Sequence, residues 1–356
     1  MSSRRVLITG GAGFLGSTLA ITLADRHPGW QIVAADSLYR RGSELNLPRL
    51  RAAGVQFVHA DVRVASDVMG LGPIDALVEC SAEPSVMAAV QGASETVVHT
   101  NLLGAYHCFQ LAARHGAQVI FPSTSRVYPI AALAALDIVE DNSRLRLNDV
   151  QRVPGASSAG ISEAFPMGGA RTLYGATKLS AELLLAEYGA TYEIPTTINR
   201  FGVIAGPWQM GKIDQGIAAH WMLSYLRDER LSYIGFGGTG KQVRDLLHVA
   251  DAVELLDEQL SDPDRWAGHT FNVGGGLQCS VSLRELSQLC QELTGRYVAI
   301  ESQPDTRPGD VPVYLSDCTA LHAHTNWRPS RTPREILADI HGWATVNQEL
   351  VSDALT

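Results

Sequence analysis

Over the first half of the chain, short apolar runs alternate with segments in which apolar residues recur every three or four positions. The apolar runs predict five buried strands, at residues 6–9, 31–35, 55–59, 76–80 and 118–122. The segments between them predict helices, and a longer helix at 174–188 precedes a sixth strand at 196–199. Because strands that alternate with helices pair in parallel, the pattern predicts an α/β fold with a doubly wound parallel sheet.

The alternation stops between residues 128 and 173, where proline, glycine, serine and alanine dominate. A loop of this length inside a compact protein is usually functional or mobile. Beyond residue 200, helices are mixed with short strands at residues 233–235, 270–273 and 298–301. This part of the chain predicts a smaller C-terminal α/β domain.

Three glycines follow the first strand at the spacing of a dinucleotide-binding turn. Gly10 allows a sharp exit from the strand, Gly13 lets the backbone approach a pyrophosphate, and Gly16 lets the next helix pack closely on the sheet. The phosphates would lie over the N–H groups of the first helical turn, which includes Phe14 and Leu15. Because this turn follows a strand and precedes a helix, it predicts a Rossmann-type fold.

Asp36 ends the second predicted strand, about 20 residues past the glycines, where an acidic residue binds the cofactor ribose. A carboxylate there accepts hydrogen bonds from the ribose hydroxyl groups and repels a 2′-phosphate, which favours NAD over NADP. Arg40 and Arg41 follow closely and weaken this preference. Asp61 and Val62 end the third strand, where the adenine is expected. The alternative is a flavin-binding or nucleotide-binding fold without redox chemistry.

The composition of the chain excludes several classes of protein. The chain has 356 residues and a net charge of −9, which argues against a nucleic-acid partner. No run approaches 18 uninterrupted apolar residues, so we expect neither a signal peptide nor a membrane span, and we expect a cytoplasmic location. The five cysteines show no CxxC spacing, and we expect reduced thiols and no metal site.

Tyr174 and Lys178 open the long predicted helix, four residues apart and therefore one turn from each other on one face. A nearby ammonium group favours the phenolate over the phenol, so Tyr174 can act as a base near neutral pH. Lys178 can also donate to the nicotinamide ribose. A Tyr-x-x-x-Lys pair alone is common by chance, but after a dinucleotide-binding turn and a fifth strand it predicts a catalytic pair.

Three hydroxyl residues, Ser123, Thr124 and Ser125, follow the fifth predicted strand. The carboxyl ends of parallel strands are where ligands bind. A hydroxyl group there can hold the reacting substrate hydroxyl while Tyr174 takes its proton. All three residues qualify by type, which leaves the choice among them open.

Together these residues resemble the extended short-chain dehydrogenase/reductase family of NAD-dependent nucleotide-sugar epimerases and dehydratases. The resemblance covers nearly the whole chain. It implies an NAD-binding domain at residues 1–199, with a loop insertion at 128–173, and a partly interleaved domain at 200–356 that mainly binds a nucleotide-diphosphate sugar. Relatives dimerise through the helices that correspond to those of Asn101 and Tyr174, so a homodimer is also implied.

The resemblance assigns roles to individual residues. By its position relative to Val127, Thr124 is the catalytic hydroxyl beside Tyr174 and Lys178, and Ser123 is a secondary contact. The implied cofactor contacts are Gly10, Gly13, Phe14, Leu15, Gly16, Asp36, Ser37, Asp61, Val62, Ser81, Ala82, Asn101, Tyr174 and Lys178. The implied substrate contacts are Ser85, Ser123, Thr124, Arg126, Arg200, Gln215, Arg244 and Arg307.

Within the family, the chain most resembles the CDP-paratose 2-epimerases, also called CDP-tyvelose epimerases. The similar pieces are residues 162–163, 213–216 and 238–245. The family's 4,6-dehydratases have an acidic pair directly after the catalytic threonine, and its decarboxylases usually have glutamate where Arg126 stands. Ser125-Arg126 therefore disfavours dehydration and decarboxylation, and a basic residue at this place is similar to the 2-epimerases.

The chain departs from the family pattern at two places. Residues 79–82, Glu-Cys-Ser-Ala, stand where the family commonly has His-Leu-Ala-Ala. Glu79 would be costly to bury unpaired, so we expect a basic or hydrogen-bonding partner for it. Glu83 either contacts the sugar or is solvated. The loop after Tyr128-Pro129 is longer than in relatives, which affects the choice of substrate and leaves the fold unaffected.

The implied reaction is redox-neutral. Tyr174 deprotonates a sugar hydroxyl, NAD takes the hydride, and the ketone presents its other face before the hydride returns. We therefore predict epimerisation of a nucleotide-diphosphate sugar, at C2 of a CDP-sugar; the alternative is 4-epimerisation, or another epimerase/dehydratase-type reaction, on a UDP-, GDP- or dTDP-sugar. An alternative of another class is a non-catalytic NAD-binding regulator. Such proteins typically lose part of the Tyr-Lys pair, which this chain retains.

Overall fold

The computed structural model describes residues 3–87, 92–210 and 216–350. Its strands are β1 (Arg5–Thr9), β2 (Gln31–Asp36), β3 (Gln56–His59), β4 (Ala76–Glu79), β5 (Gln118–Thr124), β6 (Ile138–Glu140), β7 (Leu145–Leu147), β8 (Ala156–Ser157), β9 (Gly160–Ile161), β10 (Thr196–Phe201), β11 (Val203–Ala205), β12 (Leu231–Ile234), β13 (Val243–His248), β14 (His269–Val273), β15 (Ser280–Ser282), β16 (Ile300–Gln303) and β17 (Val313–Tyr314). Its α-helices are α1 (Phe14–Arg26), α2 (Leu47–Ala52), α3 (Ala65–Met69), α4 (Ser94–Val98), α5 (Ala105–His115), α6 (Ile130–Ala134), α7 (Leu173–Tyr192), α8 (Ile217–Arg227), α9 (Val249–Ser261), α10 (Pro263–Trp266), α11 (Leu283–Thr294), α12 (Thr319–His324) and α13 (Pro333–Val346). A π-helix, His99–Gly104, joins α4 to α5.

Seven strands form the central sheet, in the order β3-β2-β1-β4-β5-β10-β14. The pairs from β3 to β5 are parallel, with Leu7 opposite both Val33 and Leu77. The order reverses between β1 and β4, and the crevice at the carboxyl ends of these two strands is where a doubly wound sheet binds its ligand. The predicted α/β fold class is confirmed.

Both faces of this sheet are buried. Alternate strand residues such as Leu7 and Phe121 pack against Phe109 of α5 and Leu185 of α7. The intervening strand residues, for example Ile8, are also fully buried. Burial on both faces explains why the strands are nearly continuous apolar runs in the sequence.

The chain divides into two compact units. The first comprises Met1–Thr124, Leu173–Arg200 and Val253–Thr270, and it holds most of the central sheet. The second comprises Ser125–Thr172, Phe201–Ala252 and Phe271–Thr356. The division of cofactor and substrate binding between residues 1–199 and 200–356 stays a prediction.

The second unit is built around β13. This strand pairs with β11, β15 and β17, and helices α8, α11 and α13 share a core that includes Trp221, Leu286 and Ile340. Helices α11 and α13 each begin with a capping box, in which a hydroxyl and a glutamate satisfy the first backbone N–H groups. No helix in the described part of the chain has both the length and the apolar character that crossing a membrane requires.

The segment predicted as a loop, residues 128–173, contains α6 and two hairpins, β6–β7 and β8–β9. The first hairpin is held within the second unit by Arg144, which donates to Glu285 (Nε–Oε1 2.8 Å), and by an ion pair between Glu140 and Lys241 (2.7 Å). The helix α6 and the four strands of residues 128–173 are each two to five residues long. Elements this short are too brief to show a hydrophobic period, which is why the sequence pattern missed them.

Candidate active site

The turn after β1 is shaped by close packing of backbone atoms. Gly10 has φ +60°, and a Cβ on it would lie 2.7 Å from the carbonyl carbon of Cys80. A Cβ on Gly16 would collide with the carbonyl oxygen of Gly10. Helix α1 begins directly after its N-cap residue, Gly13, which makes no side-chain cap hydrogen bond. The N–H groups of the first helical turn are therefore suited to bind an anion at the crevice.

One cleft in the first unit brings many of the predicted cofactor contacts together. Eight of them line it: Gly10, Gly13, Asp36, Ser37, Asp61, Val62, Ser81 and Ala82. Sequence reasoning assigned no cofactor contact to the other lining residues, which are Tyr39, Arg40, Ser43, Ala60, Arg63, Cys80, Glu83, Thr96 and Thr100. Phe14, Leu15 and Gly16 form the first turn of α1. A glycine turn at a helix N-terminus, with a carboxylate one strand away, fits a dinucleotide such as NAD.

The Asp36 carboxylate is held in place by the backbone. One oxygen accepts a hydrogen bond from the N–H of Ala12 (3.1 Å) and the other from the N–H of Leu38 (2.8 Å). Because an ionised carboxylate can accept about four hydrogen bonds, capacity remains for ribose hydroxyl groups. Burial raises the pKa of Asp36, and the two backbone hydrogen bonds partly oppose that shift.

Asp61 is paired with a residue that sequence reasoning missed. Its carboxylate accepts hydrogen bonds from Arg63 (Nη2–Oδ2 2.6 Å), and this interaction lowers the pKa of Asp61. The Arg63 guanidinium lies over the ring of Tyr39, 5.0 Å from its centroid. Tyr39 and Arg63 therefore form one wall of the cleft. Neither residue belongs to the glycine motif, so the sequence offered no signal for this pair.

The predicted catalytic residues lie at the end of β5 and on α7. Thr124 is the last residue of β5 and is buried, Tyr174 is half-buried in the first turn of α7, and Lys178 is buried one turn later. The Ser123 hydroxyl donates to Glu182. Ser123 is therefore engaged with α7. The choice of Thr124 as the reacting hydroxyl stays a prediction.

Glu79 has the partners expected for a buried carboxylate. It accepts hydrogen bonds from the N–H of Ser81 (3.1 Å) and the hydroxyl of Thr9 (3.4 Å). The Lys178 ammonium lies 4.0 Å from Glu79 Oε2 and 3.8 Å from the centroid of the Phe121 ring. The predicted catalytic lysine is thus enclosed between a carboxylate and an aromatic face.

Asn101 holds the loop that follows β4. Its side chain accepts a hydrogen bond from the N–H of Glu83 (2.8 Å) and donates one to the carbonyl of the same residue (3.1 Å). The same amide lies 3.4 Å from the hydroxyl of Thr177 on α7. Asn101 is buried within the π-helix, a distortion that often marks functional sites. A direct contact between Asn101 and NAD stays a prediction.

Two of the predicted substrate arginines contact one segment of the second unit, residues 307–311, and a third, Arg307, lies within it. Arg126 donates to the carbonyl of Gly309 (3.0 Å). Arg244 donates to Asp310 (2.7 Å) and to the carbonyl of Val311 (2.6 Å). Arg307 begins the segment and is half-buried. The Arg126 and Arg244 side chains, from two separate parts of the chain, therefore reach the segment that begins with Arg307.

The remaining substrate residues are placed differently. Arg200 lies in the first unit, where it donates to Glu182 (Nη2–Oε2 2.8 Å) as part of a buried ion pair. Ser85 lies in the loop after β4, and its hydroxyl accepts a hydrogen bond from the N–H of Met87 (3.2 Å). Gln215 lies outside the described residues. In the described part of the chain, no group of three or more His, Cys, Asp or Glu side chains could hold a metal ion.

The model of the NAD dependent epimerase/dehydratase family matches residues 6–274 of the chain. The chain belongs to this family. It is an NAD-dependent enzyme, and the predicted family, enzyme class and cofactor are confirmed. The non-catalytic alternative is therefore set aside.

Individual relatives carry out more than one reaction. The chain is 25% identical to the CDP-paratose 2-epimerase of Salmonella typhi over 354 residues, which covers 96% of this chain and 99% of the relative. It is 24% identical to a UDP-glucose 4-epimerase of Corynebacterium glutamicum over 351 residues, covering 96% and 95%. The structure of the UDP-glucose 4-epimerase of Thermus thermophilus in complex with NAD matches with a TM-score of 0.75 and 25% identity, covering 95% of this chain and 98% of that one.

Proposed function

We propose that this enzyme inverts one carbon of a nucleotide-diphosphate sugar through a transient ketone, at C2 of a CDP-sugar. The observation that carries the proposal is the pairing of Tyr174 and Lys178 on one face of α7, in the unit that also contains Thr124 at the end of β5. The three residue types together can take a proton from an alcohol and stabilise the oxygen that remains.

The three side chains then have different tasks. Tyr174 removes the proton from the substrate hydroxyl at its phenolic oxygen and returns it after inversion. Lys178 favours the phenolate of Tyr174 through its positive charge and donates to the cofactor ribose. Thr124 donates a hydrogen bond to the substrate oxygen. The cleft lined by Gly10, Gly13 and Asp36 would hold NAD, which would supply the hydride acceptor and donor for that carbon.

The residue after Ser125 supports epimerisation over elimination. Loss of water would need an acid and a base next to the catalytic threonine, and here Arg126 occupies that place and donates to the carbonyl of Gly309. Arg126 and Arg244 reach the segment that contains Arg307, which supports binding of a pyrophosphate there. The similarity to the CDP-paratose 2-epimerase of Salmonella typhi supports C2 and a CDP-sugar.

A homodimer is the assembly we propose, from the resemblance together with exposed apolar side chains in the first unit. Leu103 of the π-helix is 40% exposed, and on α7 Leu183 is 63% and Tyr192 54% exposed. Apolar residues at such positions are suited to an interface between two copies. The cytoplasmic location stays a prediction.

The purified enzyme incubated with CDP-, UDP-, GDP- and dTDP-hexoses, followed by proton NMR, tests the proposed reaction. We expect a new anomeric signal from a C2 epimer in the CDP-sugar sample and none in the same sample with Tyr174→Phe. Conversion of a UDP-, GDP- or dTDP-sugar at C4, with the CDP-sugar unchanged, would replace the proposal by 4-epimerisation.

A further inference from the structure

A second buried charge lies beside the proposed catalytic lysine. Glu79 is 1% exposed and Lys178 is 2% exposed, and their charged atoms, Oε2 and Nζ, are 4.0 Å apart. This separation is too long for a hydrogen bond but short enough for a strong Coulomb interaction between two buried groups. The proposed reaction uses Lys178 and gives Glu79 no task.

The other charges nearby are already balanced. Glu182, one turn after Lys178 on α7, forms an ion pair with Arg200 at 2.8 Å and accepts the hydroxyl of Ser123. The thiols of Cys80 and Cys108 face Glu79 from the end of β4 and from α5, and burial raises the pKa of both. Neutral thiols and a paired Glu182 leave Glu79 to balance Lys178.

Burial acts against charge on both partners. It lowers the pKa of Lys178 and raises the pKa of Glu79, and each group opposes the shift of the other. The ring of Phe121 also favours the ammonium form, because its face attracts cations. Without the carboxylate, a lysine in this position would lose its proton at a lower pH. Only the protonated form can stabilise a Tyr174 phenolate.

We propose that Glu79 is a positioning residue, whose carboxylate keeps the buried Lys178 side chain protonated and fixed beside Phe121, so that its charge acts on Tyr174. The effect on Tyr174 rests on the proposed function, whereas the effect on Lys178 does not. Glu79 stands where the family pattern commonly has His. The pairing is therefore a feature of this sequence and not of the shared motif.

The composition of the chain makes a direct test possible. It has three lysines, Lys178, Lys212 and Lys241. Protein made with [ε-¹³C]lysine should give three carbon-bound proton signals, which Lys212→Arg and Lys241→Arg assign. Their chemical shifts report the charge of each amine as pH is varied. We expect Glu79→Gln, which keeps the side-chain shape and an oxygen for Ser81, to lower the Lys178 midpoint by about 1–3 pH units. An unchanged midpoint would overturn the inference.

Two further variants separate charge from structure. Glu140→Gln removes the carboxylate that lies 2.7 Å from Lys241; because Glu140 is 62% exposed, we expect little change at Lys241 and none at Lys178. Glu79→Asp retains the charge, so the Lys178 midpoint should stay above its value in Glu79→Gln. If Glu79→Gln does not fold, the aspartate variant decides. The shorter aspartate side chain places its carboxylate farther from the Lys178 ammonium, so the Lys178 midpoint should fall below the native value, by less than is expected for Glu79→Gln. No shift in the aspartate variant would then overturn the inference.

The pH dependence of turnover distinguishes this inference from the proposed function. In an active Glu79→Gln enzyme, the alkaline limb of kcat/KM should move to lower pH together with the Lys178 midpoint. A lowered midpoint in a protein that converts no nucleotide sugar supports the role of Glu79 toward Lys178 and contradicts the proposed function. An unchanged midpoint in an active epimerase overturns the role of Glu79 alone.

Discussion

The predicted cofactor cleft of the first unit and the arginine segment of the second unit (residues 307–311 with Arg126 and Arg244) are built in different ways. In the cleft, a glycine turn at a helix N-terminus lies beside Asp36, whose carboxylate is held by two N–H groups. In residues 307–311, long cationic side chains from distant parts of the chain meet at carbonyl groups and at Asp310. Backbone geometry is set by a few adjacent residues, whereas an arginine cluster depends on the tertiary fold.

This difference explains how one family keeps its cofactor while its substrates vary. A glycine turn tolerates almost no substitution, since a Cβ at Gly10 or Gly16 would meet backbone atoms. Arg126 and Arg244 contact residues 309–311 through long side chains. If they bind the substrate as proposed, we expect a different pair of side chains to select a different nucleotide sugar. Changes in the cleft should therefore affect every substrate alike, and changes at the arginine segment should affect some substrates more than others.

The largest effect is expected for Tyr174→Phe. The variant keeps the ring in the first turn of α7 but removes the phenolic oxygen, so turnover should fall by about two to four orders of magnitude. Bound NAD and the unfolding midpoint should remain as in the native protein. Steady-state rates, with NAD measured in the supernatant after denaturation, provide the check. Near-full activity would show that another group is the base.

Asp36→Ala should weaken NAD binding by about 1–3 kcal/mol, because hydrogen bonds to a charged group are lost. The KM for the nucleotide sugar should stay close to native at saturating NAD, since Asp36 lies in the cofactor cleft. Calorimetry with the NAD-free protein measures the first quantity and initial rates the second. Unchanged NAD affinity would mean that the end of β2 does not hold the ribose.

Arg244→Met should raise the KM for the nucleotide sugar by about tenfold, the equivalent of about 1.4 kcal/mol, and leave NAD retention unchanged. The matched control is Arg146→Met, which removes an arginine of the same unit that is 46% exposed and paired with Asp141. The control should leave the KM as it is. If both variants raised the KM equally, the number of positive charges on the second unit, and not the position of Arg244, would determine substrate binding.

The smallest expected effect is a loss of NAD affinity in mild acid. Burial raises the pKa of Asp36, so its carboxylate gains a proton at a higher pH than an exposed aspartate does. A protonated carboxyl group accepts fewer hydrogen bonds from the ribose. NAD affinity should therefore fall as pH drops through the raised pKa, and Asp36→Asn should remove this dependence. A native affinity that is flat in acid would contradict the assignment.

The sequence placed correctly those residues whose positions are fixed by neighbours in the chain. Gly10 follows β1, Asp36 ends β2, and Tyr174 and Lys178 lie one turn apart on α7. Their roles stay predictions. The sequence did not predict that Arg63 lines the cleft, because its pairing with Asp61 and Tyr39 forms no known motif. The engagement of Ser123 by Glu182, 59 residues away, depends on how α7 packs on β5.

The insertion shows the same limit on a larger scale. Its predicted description as a loop was wrong for α6 and for the two hairpins, because elements this short carry no hydrophobic period. The pairing of Arg126 with Gly309 joins residues 183 positions apart. Contacts of this kind follow from the packing of the second unit, and the spacing of nearby residues in the sequence does not predict them.

The most direct test of the central claim follows a deuterium label on the substrate. A CDP-sugar deuterated at C2 is incubated with the enzyme in ordinary water, and the product is examined by NMR and mass spectrometry. If hydride leaves and returns within one site, the product is inverted at C2 and still carries deuterium there. Loss of the label to water would show deprotonation at carbon and would contradict the account. Inversion at C4 with the C2 label untouched would contradict the assignment to C2.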